Sequence, residues 1–225
     1  DSTLFGKLFD YCRVDVLAEE ALSHSLDDLL PTETPNYLLD QTINQRGFRL
    51  DLEAVEIALS LISTETFLLN SELAELTGGV VTRATQRDRM KKWLATEGLH
   101  LEDTKGATID ALIADDDLPG ELDSLSPAAR LALEILRTLW RSSTAKYETM
   151  LDWACPDGRV RGGLLYHGAG TGRWSGRGIQ PHNFPKGTLG KDFDMEAAWE
   201  VIKTGSRDAI LAAYPNSSVM EVLAT

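Results

Sequence analysis

Apolar positions recur at helical spacing along most of this chain. Leu8, Tyr11, Cys12, Val16, Leu17, Leu22 and Leu26 predict one or two helices over 4–30, and Pro31 and Pro35 mark the break that follows. The spacing predicts another helix over 37–44, after which Gly47 supplies a turn and Phe48 and Leu50 alternate as in a short extended segment. Asp51 stands where a helix N-cap belongs, ahead of Leu52, Val55, Ala58, Leu59, Ile62 and Phe67. Residues 68–76 continue this long helix or pack beside it, and Gly78-Gly79 ends it. Thr85 is expected to cap a helix that turns Met90, Trp93 and Leu94 inward and Arg87, Lys91 and Lys92 outward. A short helix over 108–113 is followed by a longer one that Ser126-Pro127 begins, carrying Leu131, Leu133, Ile135, Leu136, Leu139 and Trp140. A kink is expected near 141–144, before Lys146, Tyr147, Met150 and Trp153.

Beyond the turn signal Pro156-Asp157-Gly158 the period changes. Residues 159–161 and 164–166 read as strands around a Gly162-Gly163 bend, 168–178 as a loop and 179–185 as extended chain. Helices return over 194–203 and 206–214, and Ser217 or Ser218 starts the last one. The expected fold class is mainly α with a small antiparallel β-sheet.

Charge alters this picture. The formal net charge is -13, yet ten of the 22 cationic residues lie in the windows 83–92 and 159–186, whose single acid is Asp88. The second window holds Arg159, Arg161, Arg173, Arg177 and Lys186, and nine of the eighteen glycines fall within 158–187. The overall acidity argues against a nonspecific binder of polyanions, because the summed field repels phosphate. Segregated charge is different: a cationic, glycine-rich stretch with amide side chains suits close approach to a polyanion. A length of 225 residues allows one good core or two modest ones. Cys12 and Cys155 are far apart in sequence and are expected to be free thiols in a reducing compartment. With no signal-peptide pattern and no apolar run of bilayer length, a cytoplasmic location without membrane contact is expected. Asp1 in place of methionine, and an apolar helical pattern running into Thr225, suggest part of a longer protein.

Several groups of residues carry candidate chemistry. Tyr11 lies four residues before Asp15, so both share a helical face: either a tyrosine placed to hydrogen-bond a metal-activated water, or a half-buried ring beside a solvated acid. Residues 82–94, with Thr82 and Thr85, read either as a phosphate-contacting tip, mobile on its flanking glycines, or as a solvated helix face. Asp115, Asp116 and Asp117 form a solvated acidic loop, since consecutive carboxylates on a turn cannot all converge on one ion. The run Arg141-Ser142-Ser143-Thr144-Ala145-Lys146 offers cations and hydroxyls for a phosphate backbone, although such serines also bond their own helix.

Five blocks in order then establish a resemblance over nearly the whole chain. YCRVDVLAE, LDQTINQRGFRLDL, LTGGVVTRATQ, SSTAKYETML and DGRVRGGLLYHGAGTGRWSGRGIQPHNFP resemble the family A DNA polymerases, the DNA polymerase I type, in their phage and prophage branch. By that resemblance residues 1–30 are the C-terminal end of a 3'-5' exonuclease domain. Tyr11 and Asp15 then match its last motif, Asp15 being a metal ligand only together with acids from upstream. Residues 36–153 resemble the helical thumb and 157–225 the opening of the palm. Thr171, Gly172, Arg173, Trp174 and Ser175, then Gln180, Pro181, His182, Asn183, Phe184 and Pro185, match the family's T-G-R-L-S and N-L-Q-N-I-P signature. Gln180 and His182 depart from the commoner asparagine and glutamine.

The resemblance implies roles as well. Arg173, Gln180 and Asn183, with His182, Thr171, Ser175 and Arg177 around them, are expected to meet the minor-groove acceptors that every base pair presents. Lys91, Lys92 and Lys146, with Thr82 and Thr85, are expected to contact phosphates. The partner is primer-template DNA. A dNTP and Mg2+ belong to the full-length parent enzyme, and this chain is expected to bind no cofactor and to be a monomer. Asp192-Phe193-Asp194-Met195-Glu196 superficially resembles the family's D-F-S-Q-I-E, but no apolar strand precedes it, its spacing is one residue short and no arginine follows in place. The expectation is therefore the DNA-binding portion of a DNA-directed DNA polymerase, a nucleotidyltransferase acting in replication, without the catalytic aspartates and inactive in isolation. The alternative is a stand-alone helical module that binds nucleic acid or a protein and is not part of an enzyme.

Overall fold

Ten helices and four two-residue strands order the described residues of the computed structural model, which are 2–103, 106–114, 125–140, 142–184, 189 and 193–224. The chain divides into two compact units, Asp1–Arg46 and Gly47–Thr225. The first holds α1 (Ser2–Ser25) and α2 (Thr34–Arg46). Every side chain described in α1 is exposed, including the apolar set from Leu8 to Leu22 that the helical spacing picked out. Pro35 does not break a helix: it occupies the first turn of α2, where its missing N–H has no intrahelical partner to lose. Asp40 is buried in α2, its Oδ2 accepting from Gln41 Nε2 and Asn44 Nδ2, both at 3.1 Å.

In the second unit α3 (Leu52–Leu76) is the spine and packs against α6, α7, α8 and α10. Asp51 caps it as the sequence predicts, accepting from Ala54 N at 3.2 Å. Two cores form along its length. Near its C-terminal end Leu73 joins Met90, Trp93 and Leu94 of α4 (Arg87–Thr96), Ile109 of α5 (Gly106–Ala114), and Leu133 and Leu136 of α6 (Pro127–Leu139). Near its start Ala58 and Leu61 meet Ala198 and Ile202 of α8 (Met195–Lys203), Ile210 of α9 (Arg207–Ala213), and Val219, Val222 and Leu223 of α10 (Val219–Leu223). A single long helix thus supplies a wall to both cores, as the period of its apolar residues requires.

Several helix starts follow side-chain chemistry. Ser126 caps α6, Asp194 α8 and Ser206 α9, and Ser218 with Glu221 closes a capping box on α10. Thr85, by contrast, is not the cap of α4. The cap position is Gln86, whose Oε1 instead accepts from Thr82 N at 2.9 Å, so the loop takes the acceptor the helix start leaves unused. The expected kink before Lys146 is a change of helix type: a 3-10 turn over Ser142–Ala145 precedes α7 (Lys146–Trp153).

The strands differ from the simplest reading. Those over 159–161 and 164–166 do not pair with each other across the Gly162-Gly163 bend. Instead β2 (Arg159–Val160) pairs antiparallel with β1 (Phe48–Arg49), and β3 (Leu164–Leu165) pairs antiparallel with β4 (Ser175–Gly176). The stretch 168–178 is therefore not all loop, and 179–185 is not extended: Pro181–Asn183 forms a 3-10 turn. Strand segments of two residues carry too little alternation for sequence to assign partners. The fold class is as expected, mainly α with small antiparallel sheets, two rather than one. Asp115, Asp116 and Asp117, Arg141, Pro185, Lys186 and Asp192 lie outside the described residues, as do the side chains of Ser142 and Ser143.

Candidate nucleic-acid interface

The turn that opens the cationic window also neutralises part of it. Gly158, with φ +74°, lets the chain reverse so that Cys155 N reaches Arg159 O at 2.8 Å. Asp157, two residues outside the window, then receives both arms of Arg161 at 2.9 and 2.6 Å. Hydrogen bonds from Arg161 outweigh the carboxyl's own desolvation and hold Asp157 down at about 2, and the same contact pushes the Arg161 guanidinium up. Arg159 donates to Gly47 O at 3.1 Å and so helps to pin β2 against β1. Two of the four described arginines in this window are thus structural.

The other two stay available. Arg173 and Arg177 are exposed, and among the described residues their side chains have no hydrogen-bond or ion-pair partner. They sit on the β3–β4 hairpin, whose register pairs Leu164 with Gly176 and Leu165 with Ser175. Arg177 N extends the pairing to Gly163 O at 2.9 Å, and Ala169 N closes the loop on Arg173 O at 3.1 Å. Thr171 is exposed in that loop. Ser175 is half-buried beneath Gly168, where a Cβ would strike its hydroxyl. On the opposite face Tyr166 meets Trp174 edge-on with ring centroids 6.0 Å apart, and His167 lies 4.5 Å from Tyr166.

After the hairpin the backbone is tightly placed. Gly178, with φ +60°, passes against the Trp153 ring at the end of α7, leaving no room for a side chain. Gln180 is also left-handed, with φ +50°, and turns the chain into the Pro181–Asn183 turn. Its Oε1 accepts from Asn183 Nδ2 at 2.7 Å, which leaves Gln180 Nε2 as a donor. His182 packs over Gly176, where a Cβ would overlap its ring. Thr171, Arg173, Ser175, Arg177, Gln180, His182 and Asn183 therefore share one hairpin-and-turn unit, as their sequence proximity suggested.

The remaining candidates are elsewhere. Lys146, at the start of α7, lines a cleft of about 380 Å3 with Arg49, Tyr147, Met150, Phe193 and Trp199. Phe184, which follows the 3-10 turn, lines the same cleft, so Lys146 adjoins the hairpin unit through it. Tyr147 donates to Leu223 O at 2.9 Å, and burial pushes its hydroxyl up to about 12. Arg49 is a cation that sequence reasoning did not single out. Its cleft draws on residues from 49 to 224, and no local pattern announces that convergence.

Lys91 and Lys92 are exposed on α4 at the other core, with Lys91 Nζ donating to Glu102 O at 2.7 Å. Thr82 and Thr85 are exposed on the loop before α4. This loop is fastened from within: the buried Thr77 hydroxyl accepts from Val81 N at 3.0 Å, and Asn70 Oδ1 accepts from Ala84 N at 2.8 Å. Arg87 is placed over the Trp140 ring at 4.8 Å.

Tyr11 and Asp15 both lie on α1 one turn apart, exposed. Among the described residues no three His, Cys, Asp or Glu side chains gather as a metal site, and Asp194 is engaged as the cap of α8. Both cysteines are free thiols, as expected. Among the described residues no helix is long and apolar enough to cross a membrane.

Comparison with known proteins adds a relationship that geometry cannot give. The chain is 33% identical over 217 residues to a DNA polymerase of Bacillus phage SP02, a match that covers 95% of this chain and 32% of that protein. It spans about a third of the length of this curated relative. No family model matches the chain, and no solved structure matches it. The chain is related in sequence to a phage DNA polymerase.

Proposed function

We propose that this chain, related to a phage DNA polymerase, is the portion of a template-directed DNA polymerase that holds primer-template duplex. The similarity over 95% of the chain carries the reading. The exposed pair Arg173 and Arg177, in a body of net charge -13, supports it. In the finer reading, of the family A type, residues 1–30 end a proofreading 3'-5' exonuclease domain, 36–153 form a thumb and 157–225 begin the palm. Lys91, Lys92 and Lys146 contact phosphates without regard to sequence. Arg173, the Gln180 amide and Asn183 donate to minor-groove acceptors common to all base pairs, which suits an enzyme that must copy any template.

The whole polymerase uses dNTPs and Mg2+, and its catalytic carboxylates lie outside this chain, which alone neither polymerises nor proofreads. Asp15 contributes one carboxylate beside Tyr11 on an exposed helix face, and these two groups alone do not fit a metal ion. A metal there requires acids from other parts of the protein, so no chemical step is assigned to this chain.

The test is binding of a labelled primer-template duplex by fluorescence anisotropy. The Lys91→Ala, Lys92→Ala, Arg173→Ala triple variant should bind about ten-fold or more weakly, at roughly 0.5–1 kcal/mol for each exposed contact removed. Unweakened binding by the triple variant would count against the proposal.

A further inference from the structure

The two faces of the β3–β4 hairpin carry different chemistry. Pairing of Leu164 with Gly176 places Leu164, Tyr166, Trp174 and Gly176 on one face, and Leu165, Arg173, Ser175 and Arg177 on the other. On the first face Trp174 is 43% exposed and braced edge-on by Tyr166, and His182 lies so close to Gly176 that a Cβ there would overlap its ring. The result is a row of three rings on one side and two unpaired guanidinium groups on the other. A duplex-gripping surface has no use for exposed rings, because paired bases already stack on each other. Rings serve where bases are unpaired, and they combine with cations in surfaces that bind single strands irrespective of sequence.

We infer that the Tyr166–Trp174–His182 face stacks unpaired bases of the DNA strand, with Trp174 as the principal platform. This rests on the proposed duplex-binding role and assigns the same unit a second ligand, the single-stranded overhang of the template.

The test uses the full chain and two primer-template duplexes of equal length and charge, one with a thymidine overhang and one whose overhang lacks bases. The parent chain should prefer the thymidine overhang by about five- to 150-fold, the range for stacking one base on an aromatic side chain. Trp174→Ala should abolish the preference while leaving affinity for the abasic-overhang duplex unchanged, and Trp174→Phe should restore most of it. Tryptophan fluorescence should be quenched by the thymidine overhang in the parent and not in Trp174→Phe. Equal affinity of the parent for both overhangs overturns the inference. So does a Trp174→Ala loss that is the same on both duplexes and is not recovered by phenylalanine. Intact duplex binding in those cases leaves the underlying reading standing, whereas no binding to either duplex removes both.

Discussion

At the scale of residues, what matters is which cations are already committed. Five cations without an acid between them look in sequence like one surface, but Asp157 lies just upstream and closes a two-armed contact with Arg161. Because these hydrogen bonds lower the folded carboxyl from 3.8 to about 2, the contact is fully formed above the ordinary value. It is lost as pH falls through about 2. Carboxyl-carbon NMR should follow Asp157 through that window, and Arg161→Met should return it towards the ordinary value. The same variant should leave DNA affinity unchanged, since Arg161 is occupied within the turn. A marked loss of affinity would show that it contributes to the proposed DNA-binding surface after all.

At the scale of elements, the start and middle of the long helix α3 are joined to the C-terminal helices by polar contacts as well as by packing. Glu65, buried in α3, pairs with Arg207 at the start of α9, and Lys203 of α8 reaches Asp51 at 3.5 Å. Removing one partner of a buried pair is costly, but Arg207 is partly exposed and water screens part of the loss. Arg207→Met should therefore destabilise by about 1–3 kcal/mol in a denaturant titration. The double variant with Glu65→Met should lose less than Arg207→Met alone, because no buried charge is then stranded. A double loss equal to the sum of the single losses would argue that the pair is not coupled.

Elements with sustained period are legible in the sequence itself. The inward set Met90, Trp93 and Leu94, and the caps Asp51 and Ser126, are all readable because helical periodicity and capping are local signals. The strand partners are not. The choice of β1 for β2 rests on contacts across 112 positions, such as Arg159 with Gly47 O, and β4 is too short to show the alternation that would mark it as the partner of β3. Thr85 fails as a cap for a related reason: the loop before α4 is organised by Thr77, Asn70 and Gln86, whose bonds no single position announces. For the candidate site, the residues between Thr171 and Asn183 are legible as a cluster because they lie close together in sequence. The cleft uniting Lys146 with Arg49 and Phe184 is not, because its walls come from both ends of the unit.

At the scale of the whole molecule, charge is distributed to favour one kind of encounter. The acidic body disfavours indiscriminate contact with nucleic acid, while exposed cations such as Lys92, Arg173 and Arg177 provide local attraction. If this segregated charge grips duplex DNA, as proposed, binding must weaken steeply with salt. Contacts to about three to five phosphates predict that log K for a primer-template duplex falls linearly with log salt concentration, with a slope of about -2.7 to -4.5. A slope near zero, or no measurable binding at low salt, would contradict the claim.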